Sequence, residues 1–284
     1  MNEKFKRSYA VNNVCEIEKI EIELLLEGMY RHYGFDFRNY AFSSIRRRIW
    51  HRIKGERLDT ITSLLNRILH DPKAMERLFL DFSINVTEMF RDPSFFKILR
   101  NQILPCFQNL STIRIWHAGC STGEEAYSMA ILLKEVGVYE KARIYATDMN
   151  YHVIQQAKTG KFPLKKMKDY TGNYVHSGGV NDFSEYYSVK DEYAFFNPEL
   201  SKNIIFAQHN LVTDGSFNEF HLIVCRNVLI YFDQTLQKRV HKLFLGSLCH
   251  KGVLALGNRE GLSFPNKEQY YEILNEENKI FRRM

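Results

Sequence analysis

The sequence predicts an α/β protein in which a doubly wound, mainly parallel sheet follows an N-terminal all-α domain. Residues 16–83 show helical spacing of apolar residues and no convincing strand. After residue 110, short apolar runs alternate with helical patterns, which is typical of a parallel sheet with helices on both faces. The apolar runs are centred on Ile113, Ile144, 204–207, 222–225 and 253–256.

The all-α assignment of the N-terminal part depends on two apolar stripes. One lies between residues 17 and 24, and the other lies between residues 61 and 69. A linker is predicted between residues 100 and 111, around Pro105. The expected domains are therefore 1–100, the helical domain with its junction, and 101–284, the sheet domain. The first stripe consists of Ile17, Ile20 and Leu24.

The first apolar run opens a strand–helix–strand unit. It starts at Ile113 and ends at Gly119, where a small residue lets the backbone turn sharply and approach a ligand. A helix is predicted to begin near Thr122, because hydroxyl residues here precede glutamates at capping-box spacing. The next strand, 143–146, leads to Asp148. This order places a carboxylate at the edge where open α/β sheets bind ligands.

The turn after the first strand favours a cationic ligand over a dinucleotide. Gly119 and Gly123 leave a G-x-x-x-G pattern, and Glu124 and Glu125 fall in the first helical turn. Carboxylates there repel a pyrophosphate and attract a positive charge. S-adenosylmethionine is such a ligand, and Asp148 would accept hydrogen bonds from its ribose hydroxyls. These residues alone leave a second interpretation open, in which Asp148 only caps the next helix.

Residues 160–203 interrupt the alternation of strands and helices. The stretch is rich in Gly, Asn, Tyr and Ser, and residues 186–189 and 193–196 have the composition of hairpin strands. We therefore predict a small antiparallel β-subdomain inserted into the sheet domain. An alternative also stays open, in which the subdomain is a surface insertion that binds no partner. Residues 278–284 are predicted to contain the last strand.

Composition limits the class of protein. The 284 residues, 45% hydrophobic and 14% aromatic, are enough for a sizeable core. Neither a signal peptide nor an apolar run of roughly 20 residues is recognisable, so we expect a cytoplasmic location without membrane insertion. The five cysteines lack CxxC and Cys/His spacing, which argues against a disulfide framework and a metal site. They are Cys15, Cys106, Cys120, Cys225 and Cys249.

The net charge of +6 suggests a nucleic-acid partner, but its location argues against one. Residues 31–57 contain eight Lys/Arg and two acidic residues, so this segment alone carries the excess. No broad basic face is implied elsewhere. We therefore expect no nucleic-acid partner.

Five motifs follow one another along the chain: NVTEMFRDPSFF (85–96), HAGCSTGEEAYSMAI (117–131), ATDMN (146–150), HNL (209–211) and CRNVLIYFD (225–233). In order and spacing they resemble the chemotaxis receptor methyltransferase (CheR) family. Each motif is weak alone, whereas the ensemble is highly specific. The resemblance implies a Rossmann-like class I methyltransferase that uses S-adenosylmethionine, releases S-adenosylhomocysteine and methylates glutamate side chains on chemoreceptor cytoplasmic helices in chemotaxis adaptation.

The resemblance also implies roles for particular residues. Arg91 and Tyr231 are the expected catalytic residues, because both would lie near the reacting groups. Taken alone, Arg91 would be a solvated charge beside a helix start, and Tyr231 a half-buried interface tyrosine. The expected cofactor-binding residues are Asn85, Thr87, Arg91, Glu125, Asp148, Asn210, Leu211, Arg226 and Asn227.

The helix predicted near residues 44–54 offers a docking surface for substrate. Ile45, Ile49 and Ile53 define its buried stripe, so Arg47 points outward. An arginine edge suits an acidic helical partner, and the resemblance implies glutamate-rich receptor helices. A solvated basic face is the alternative. The edge consists of Arg46, Arg48 and Arg52.

In some members of the family the β-subdomain docks a receptor's C-terminal peptide by strand addition.

Methyl transfer to glutamate needs no general base, because a glutamate carboxyl, which ordinarily titrates at about pH 4.3, is ionised near pH 7. Residues at such a site are expected to position the reactants and exclude water.

Two alternative functions are compatible with parts of the sequence. One is a catalytically silent S-adenosylmethionine-binding sensor or scaffold. The presence of all the expected site residues argues against it. The other is a nucleic-acid methyltransferase, disfavoured because no Asn-Pro-Pro-Tyr motif for a flipped base is present.

The chain departs from the family pattern at two places. In the GHSESL-like segment it retains Gly257, Glu260 and Leu262 without the His-Ser pair, and His117 replaces a smaller residue before the second motif's turn. These differences concern details of the pocket.

Overall fold

The computed structural model describes residues 3–83 and 85–284, with side chains from residue 16 onward, so the side chain of Cys15 lies outside the described residues. The chain divides into two compact units, one of residues 1–84 with 231–236 and the other of residues 85–230 with 237–284. The domain boundary near residue 100 stays a prediction.

The N-terminal unit is helical, as predicted. Its first helix packs through Ile22, Leu25 and Met29, all of which are buried. Thr60 accepts a hydrogen bond from the backbone N–H of Ser63 at 3.0 Å and thereby caps the third helix. The helices are α1 (Glu3–Tyr33), α2 (Phe42–Gly55), α3 (Ile61–His70) and α4 (Pro72–Phe82).

The second unit is built on a seven-stranded sheet with strand order β6-β2-β1-β7-β8-β10-β9. The first five strands in this order are parallel to one another, and β10 pairs antiparallel with both of its neighbours, β8 and β9. The prediction of a mainly parallel, doubly wound sheet is confirmed, including a last strand near the C-terminus. The strands are β1 (Ile113–Ala118), β2 (Ala142–Asp148), β6 (Ile204–Gln208), β7 (Phe220–Cys225), β8 (Leu248–Leu256), β9 (Tyr271–Asn275) and β10 (Ile280–Arg283).

The predicted linker between residues 100 and 111 is wrong. Residues 99–103 form a π-helical turn and residues 104–107 a 3-10 turn, and Leu99, Ile103 and Leu104 are buried in the main core. The apolar spacing fixes this segment to the core, and Pro105 is tolerated because it lies in a first turn. The helices of this unit are α5 (Pro93–Ile98), α6 (Glu124–Glu135), α7 (Tyr151–Lys158), α8 (Met167–His176), α9 (Pro198–Ser201) and, from residue 237 onward, α10 (Gln234–Ser247).

The inserted subdomain is a three-stranded antiparallel sheet of order β3-β5-β4, which confirms the prediction. Its strands are β3 (Lys161–Pro163), β4 (Tyr187–Lys190) and β5 (Tyr193–Phe196). Helix α8 lies between β3 and β4 in the chain and was not predicted. Buried aromatic side chains of the insertion, such as Phe162 and Tyr174, belong to the main core cluster of this unit.

Across the described parts of the chain, no helix is both long enough and apolar enough to cross a membrane.

Candidate active site

Four neighbouring parallel strands, β6, β2, β1 and β7, end at one edge of the large sheet. Ala118 lies beside Thr147, and Asp148 lies beside Gln208. The segments after these four strands therefore meet where open α/β sheets bind ligands. This edge holds the predicted residues Glu125, Asp148, Asn210, Leu211, Arg226 and Asn227.

The turn after β1 is pinned to the end of β2. Gly119 has φ +83°, and a Cβ there would lie 2.4 Å from Val228 Cγ2, so only glycine fits. The N–H groups of Gly119 and Cys120 both donate to the Thr147 carbonyl at 2.8 Å. The backbone N–H of Ser121 donates to Asp148 Oδ2 at 3.0 Å.

The predicted capping box is wrong. Helix α6 begins at Glu124, and its N-cap, Gly123, makes no side-chain hydrogen bond. The Thr122 hydroxyl donates instead to the Glu124 carboxylate at 2.6 Å. Glu124 also accepts from the Tyr170 hydroxyl at 3.3 Å, and burial raises the pKa of its carboxyl.

Asp148 braces the turn and faces the edge. Its carboxylate accepts from the N–H groups of Ser121 and Asn150, and its side chain is half-buried. Burial raises the pKa of Asp148, and these backbone hydrogen bonds oppose that rise. The cap of α7 is Asn150, which accepts from the His152 N–H at 2.9 Å. Asn150 therefore caps α7 in place of Asp148, and the Asp148 carboxylate remains at the sheet edge.

Arg226 connects three segments of the edge. Its side chain, only 1% exposed, pairs with Glu125 at 2.6 Å and with Asp92. It also donates to the Arg91 carbonyl at 3.1 Å and lies 4.2 Å from the Phe95 ring centroid. Such a paired, stacked guanidinium is held in one orientation.

Glu125 is the ionised partner in this cluster. Burial by itself raises its pKa, but the Arg226 guanidinium and a contact with His117 Nδ1 at 3.3 Å lower it to about 2. Near neutral pH Glu125 is therefore a carboxylate at the N-terminus of α6. This fixed negative charge suits a cationic ligand.

Three buried polar atoms near this edge have no hydrogen-bond partner among the described residues: His117 Nε2, Ser121 Oγ and Arg226 Nε. Buried polar groups are normally paired. Such unsatisfied atoms, beside carboxylates and a close-approach glycine, fit a ligand that carries both hydroxyls and positive charge.

The segment 85–92 reaches this edge in a strained conformation. Phe90 and Asp92 have φ values of +51° and +55°, in the left-handed region. The Phe90 N–H donates to Ser128 Oγ at 2.9 Å, which ties the segment to α6. Arg91 is half-buried and donates to the Val86 carbonyl at 3.3 Å. Asn85 and Thr87 are half-buried as well.

The segment after β6 forms a compact turn. Asn210 Oδ1 accepts from the Val212 N–H at 2.9 Å, and Asp214 accepts from the Asn210 N–H at 2.8 Å. Leu211 is buried. An ordered turn with one buried apolar side chain is compatible with the predicted role of Asn210 and Leu211 in cofactor binding.

Tyr231 and the arginine edge belong to the N-terminal unit. The Tyr231 carbonyl accepts from the Ala41 N–H at 2.8 Å. Arg46 is exposed and pairs with Glu18 at 2.8 Å, whereas Arg48 and Arg52 are half-buried. Arg48 donates to the Asp81 carbonyl and Arg52 to the Asp81 carboxylate, each at 2.7 Å. Two of the three arginines therefore also hold α2 to α4.

Sequence reasoning gave Glu260 no role. Its buried carboxylate accepts backbone hydrogen bonds from Gly257 and from residues 227–230, the turn that contains the predicted Asn227. The retention of Glu260 in the GHSESL-like segment was the available signal.

Two family profiles match most of the chain. The family profile described as CheR methyltransferase, SAM binding domain, matches residues 85–280. The profile described as CheR methyltransferase, all-alpha domain, matches residues 20–83.

Curated relatives align over most of the chain. A protein of Pseudomonas putida named putative methyltransferase Cher3 is 46% identical over 93% of this chain and 97% of its own length. A Listeria monocytogenes protein named chemotaxis protein methyltransferase is 29% identical over 83% of this chain and 87% of its own length. Among solved structures, PKMT2 from Rickettsia typhi in complex with AdoHcy aligns over 52% of this chain and 21% of that chain. The identity is 16%, and the TM-score is 0.32.

Proposed function

Because the chain belongs to the CheR methyltransferase family, whose S-adenosylmethionine-binding domain it contains, we propose that it methylates glutamate side chains on the cytoplasmic helices of chemoreceptors. The observation that carries this proposal is the cluster of Glu125, Asp148 and Arg226 at the carboxyl edge of the sheet. Two carboxylates and unsatisfied buried polar atoms suit a sulfonium nucleoside better than a phosphorylated one.

Each group of residues has a task in the proposed reaction. Asp148 accepts the ribose hydroxyls, Glu125 attracts positive charge, and Arg226 holds Glu125 in place. Asn210 and Leu211 contact the adenine. Asn85, Thr87, Arg91 and Asn227 complete the cofactor contacts.

The proposed chemistry needs orientation and charge matching instead of proton transfer. The bound cofactor supplies a methyl group on a cationic sulfur: a glutamate oxygen forms the new C–O bond, the C–S electron pair stays on sulfur, and a neutral ester and S-adenosylhomocysteine result. Arg91 orients the substrate carboxylate through its fork of donors, and Tyr231 lies beside the reacting groups in this proposal.

The proposed substrate surface is the arginine edge of α2. Arg46 and its neighbour Arg47 are exposed, so both present positive charge to an acidic helix, and Arg46 does so while it pairs with Glu18. Arg48 and Arg52 contribute positive potential while they remain bonded to Asp81. A receptor C-terminal peptide is the proposed partner of the β-subdomain, at the open edge of β4.

The test is transfer of labelled methyl groups from S-adenosylmethionine to a receptor cytoplasmic fragment, followed by mild base. Methyl esters of glutamate release the label as methanol, so base-labile counts on the receptor are the expected result. A receptor fragment with its methylation glutamates changed to glutamine is the matched control. Cofactor binding without transfer to any of several receptors would favour the silent sensor or scaffold.

A further inference from the structure

Glu260 lies in the segment between β8 and β9 and makes an unusual set of contacts. One carboxylate oxygen accepts from the N–H groups of Val228, Leu229 and Ile230 at 2.8, 2.7 and 3.3 Å. The other accepts from Asn227 at 3.0 Å and from Gly257 at 2.6 Å. Five backbone donors thus converge on one side chain that is only 7% exposed.

The turn that Glu260 holds would not be stable in isolation. Asn227 has φ +61°, in the left-handed region that residues other than glycine seldom adopt and that asparagine tolerates better than most. Four consecutive N–H groups of this turn point at one carboxylate, so each would lose its partner if the carboxylate left. A Cβ on Gly257 would lie 2.8 Å from Glu260 Oε2 and 2.9 Å from the Asn227 nitrogen, so the fit is close on every side.

We propose that Glu260 is a positioning residue for cofactor binding, acting through Asn227. The carboxylate fixes the left-handed bend directly after β7, and the bend sets the direction of the Asn227 amide. Arg226, one residue earlier, needs the same strand end to reach Glu125 and Asp92. The inference rests on cofactor binding alone and does not depend on the identity of the methyl acceptor.

Glu260→Gln is the substitution that tests the proposal most specifically. Glutamine has the shape of glutamate, but its NH₂ group must replace one oxygen. If the amide oxygen faces residues 228–230, the NH₂ group faces the N–H groups of Asn227 and Gly257, so donors oppose donors. We expect Glu260→Gln to weaken S-adenosylhomocysteine binding about tenfold, measured by calorimetry on the full chain.

The matched control is Glu135→Gln at the C-terminal end of α6. Glu135 is also a buried carboxylate with several donors, among them Arg100, Tyr186 and the Val180 N–H. Loss of these contacts of Glu135 should lower the thermal midpoint of unfolding without changing cofactor affinity. Equal effects of the two substitutions on affinity, or none from Glu260→Gln, would overturn the proposal.

A double-mutant cycle tests the route through Asn227. Asn227→Gly accepts the left-handed bend and removes the amide that Glu260 is proposed to direct. Adding Glu260→Gln to this background should therefore weaken binding by clearly less than it does in the natural protein. Full additivity would show that Glu260 does not act through Asn227.

Glu260→Asp covers the case in which the glutamine variant does not fold. It keeps the charge but is one methylene too short to reach all five donors. We expect weaker S-adenosylhomocysteine binding and a raised KM for S-adenosylmethionine, with an unchanged KM for the methyl acceptor where one is available. Natural affinity in this variant would contradict the proposal. Because calorimetry needs no receptor, its outcome is independent of whether receptors are methylated.

Discussion

At the scale of single residues, Asp148 serves both the fold and the proposed ligand contact. Its carboxylate braces the turn after β1 through Ser121 and begins the next connection through Asn150. Each carboxylate oxygen can accept more than one hydrogen bond, so bonds to ribose hydroxyls do not require these to break. Removing the carboxylate should therefore weaken ligand binding and also leave the N–H groups of Ser121 and Asn150 without this acceptor.

We expect Asp148→Ala to weaken S-adenosylmethionine binding by about 1 to 3 kcal/mol, the typical cost of a lost charge-assisted acceptor. Calorimetric titration measures this, with Asp182→Ala, at an exposed acid of the insertion, as the charge-matched control. Unchanged affinity in the Asp148 variant would remove this residue from the site.

Glu125 gives a pH-dependent prediction. Its pKa is lowered to about 2 in the folded chain, well below the usual range of a glutamate carboxyl. A depressed carboxyl pKa stabilises the fold above the unfolded value, and this stabilisation is lost as the pH falls from about 4.5 towards 2. We expect the natural protein to lose about 3 kcal/mol relative to Glu125→Gln over this range, from 1.36 kcal/mol per pKa unit.

Denaturant unfolding of both proteins at neutral and acidic pH measures the difference. Other acids titrate in both proteins, so only the gap between the two curves reports Glu125. A constant gap would mean that Arg226 and His117 do not stabilise its ionised form.

The residues at the sheet edge were predictable because each follows a recognisable strand. Asp148 and Asn227 come directly after apolar runs, so their meeting follows from a parallel sheet. Glu260 was not predictable in the same way. Its partners are backbone N–H groups of a turn about thirty residues earlier in the chain, and their direction depends on a left-handed residue that no side-chain pattern reveals.

At the scale of elements, α2 shows how one helix combines a core stripe with a charged surface. Ile45, Ile49 and Ile53 are buried as predicted. Arg48 and Arg52 turn towards α4, because the backbone carbonyl and carboxylate of Asp81 lie within hydrogen-bond reach. The surface of α2 that remains most accessible is therefore around Arg46 and Arg47.

We expect Arg46→Glu with Arg47→Glu to abolish receptor methylation and to spare cofactor affinity. The reversal opposes an acidic partner without disturbing the contacts with Asp81. Methyl transfer and calorimetry are the two measurements. Arg239→Glu with Lys242→Glu, on exposed positions of α10, is the matched charge change. Equal methylation by both double variants would show that α2 is not the docking surface.

The open edge of β4 gives a second element-scale prediction. In a hairpin closed by two residues, Lys190 and Tyr193 exchange hydrogen bonds, so the Val189 N–H points away from β5. Val189 is 55% exposed. If a receptor C-terminal peptide adds to this edge, Val189→Pro should weaken peptide binding about tenfold, because proline removes a ladder donor. Val189→Thr keeps the N–H and should bind normally, as fluorescence anisotropy with a labelled peptide would show.

Element type was easier to predict than the face an element buries. Helix α1 was expected from Ile17, Ile20 and Leu24, yet these side chains are about half exposed, and the core is reached through Ile22, Leu25, Leu26 and Met29. Two apolar stripes on one helix give no sequence-based reason to choose between them. The predicted linker had a different cause: Pro105 suggested a break, whereas it lies in the first turn of a short helix whose neighbours Ile103 and Leu104 are buried in the core.

At the scale of the whole molecule, several arginines of the basic segment 31–57 form ion pairs. Within residues 31–57, Arg38 pairs with Glu27 and Asp36, Arg46 with Glu18, and Arg52 with Asp81. Paired arginines are poor sources of the counterion release that drives non-specific nucleic-acid binding. Part of the charge of this segment therefore serves local contacts, and the absence of a nucleic-acid partner stays a prediction.

Each compact unit contains one of the two tryptophans: Trp50 lies on α2, and Trp116 is buried in β1. A variant with Trp50→Phe therefore reports unfolding of the sheet unit alone.

Ligand at 100 times its Kd adds about 2.7 kcal/mol to the unfolding free energy of the unit that binds it. For a unit of this size that corresponds to a rise of roughly 5 to 10 °C in thermal midpoint. We expect S-adenosylhomocysteine to produce this rise in Trp116 fluorescence, and Asp148→Ala to reduce it at the same ligand concentration. An unshifted Trp116 transition at saturating ligand would mean that the sheet edge does not hold the cofactor.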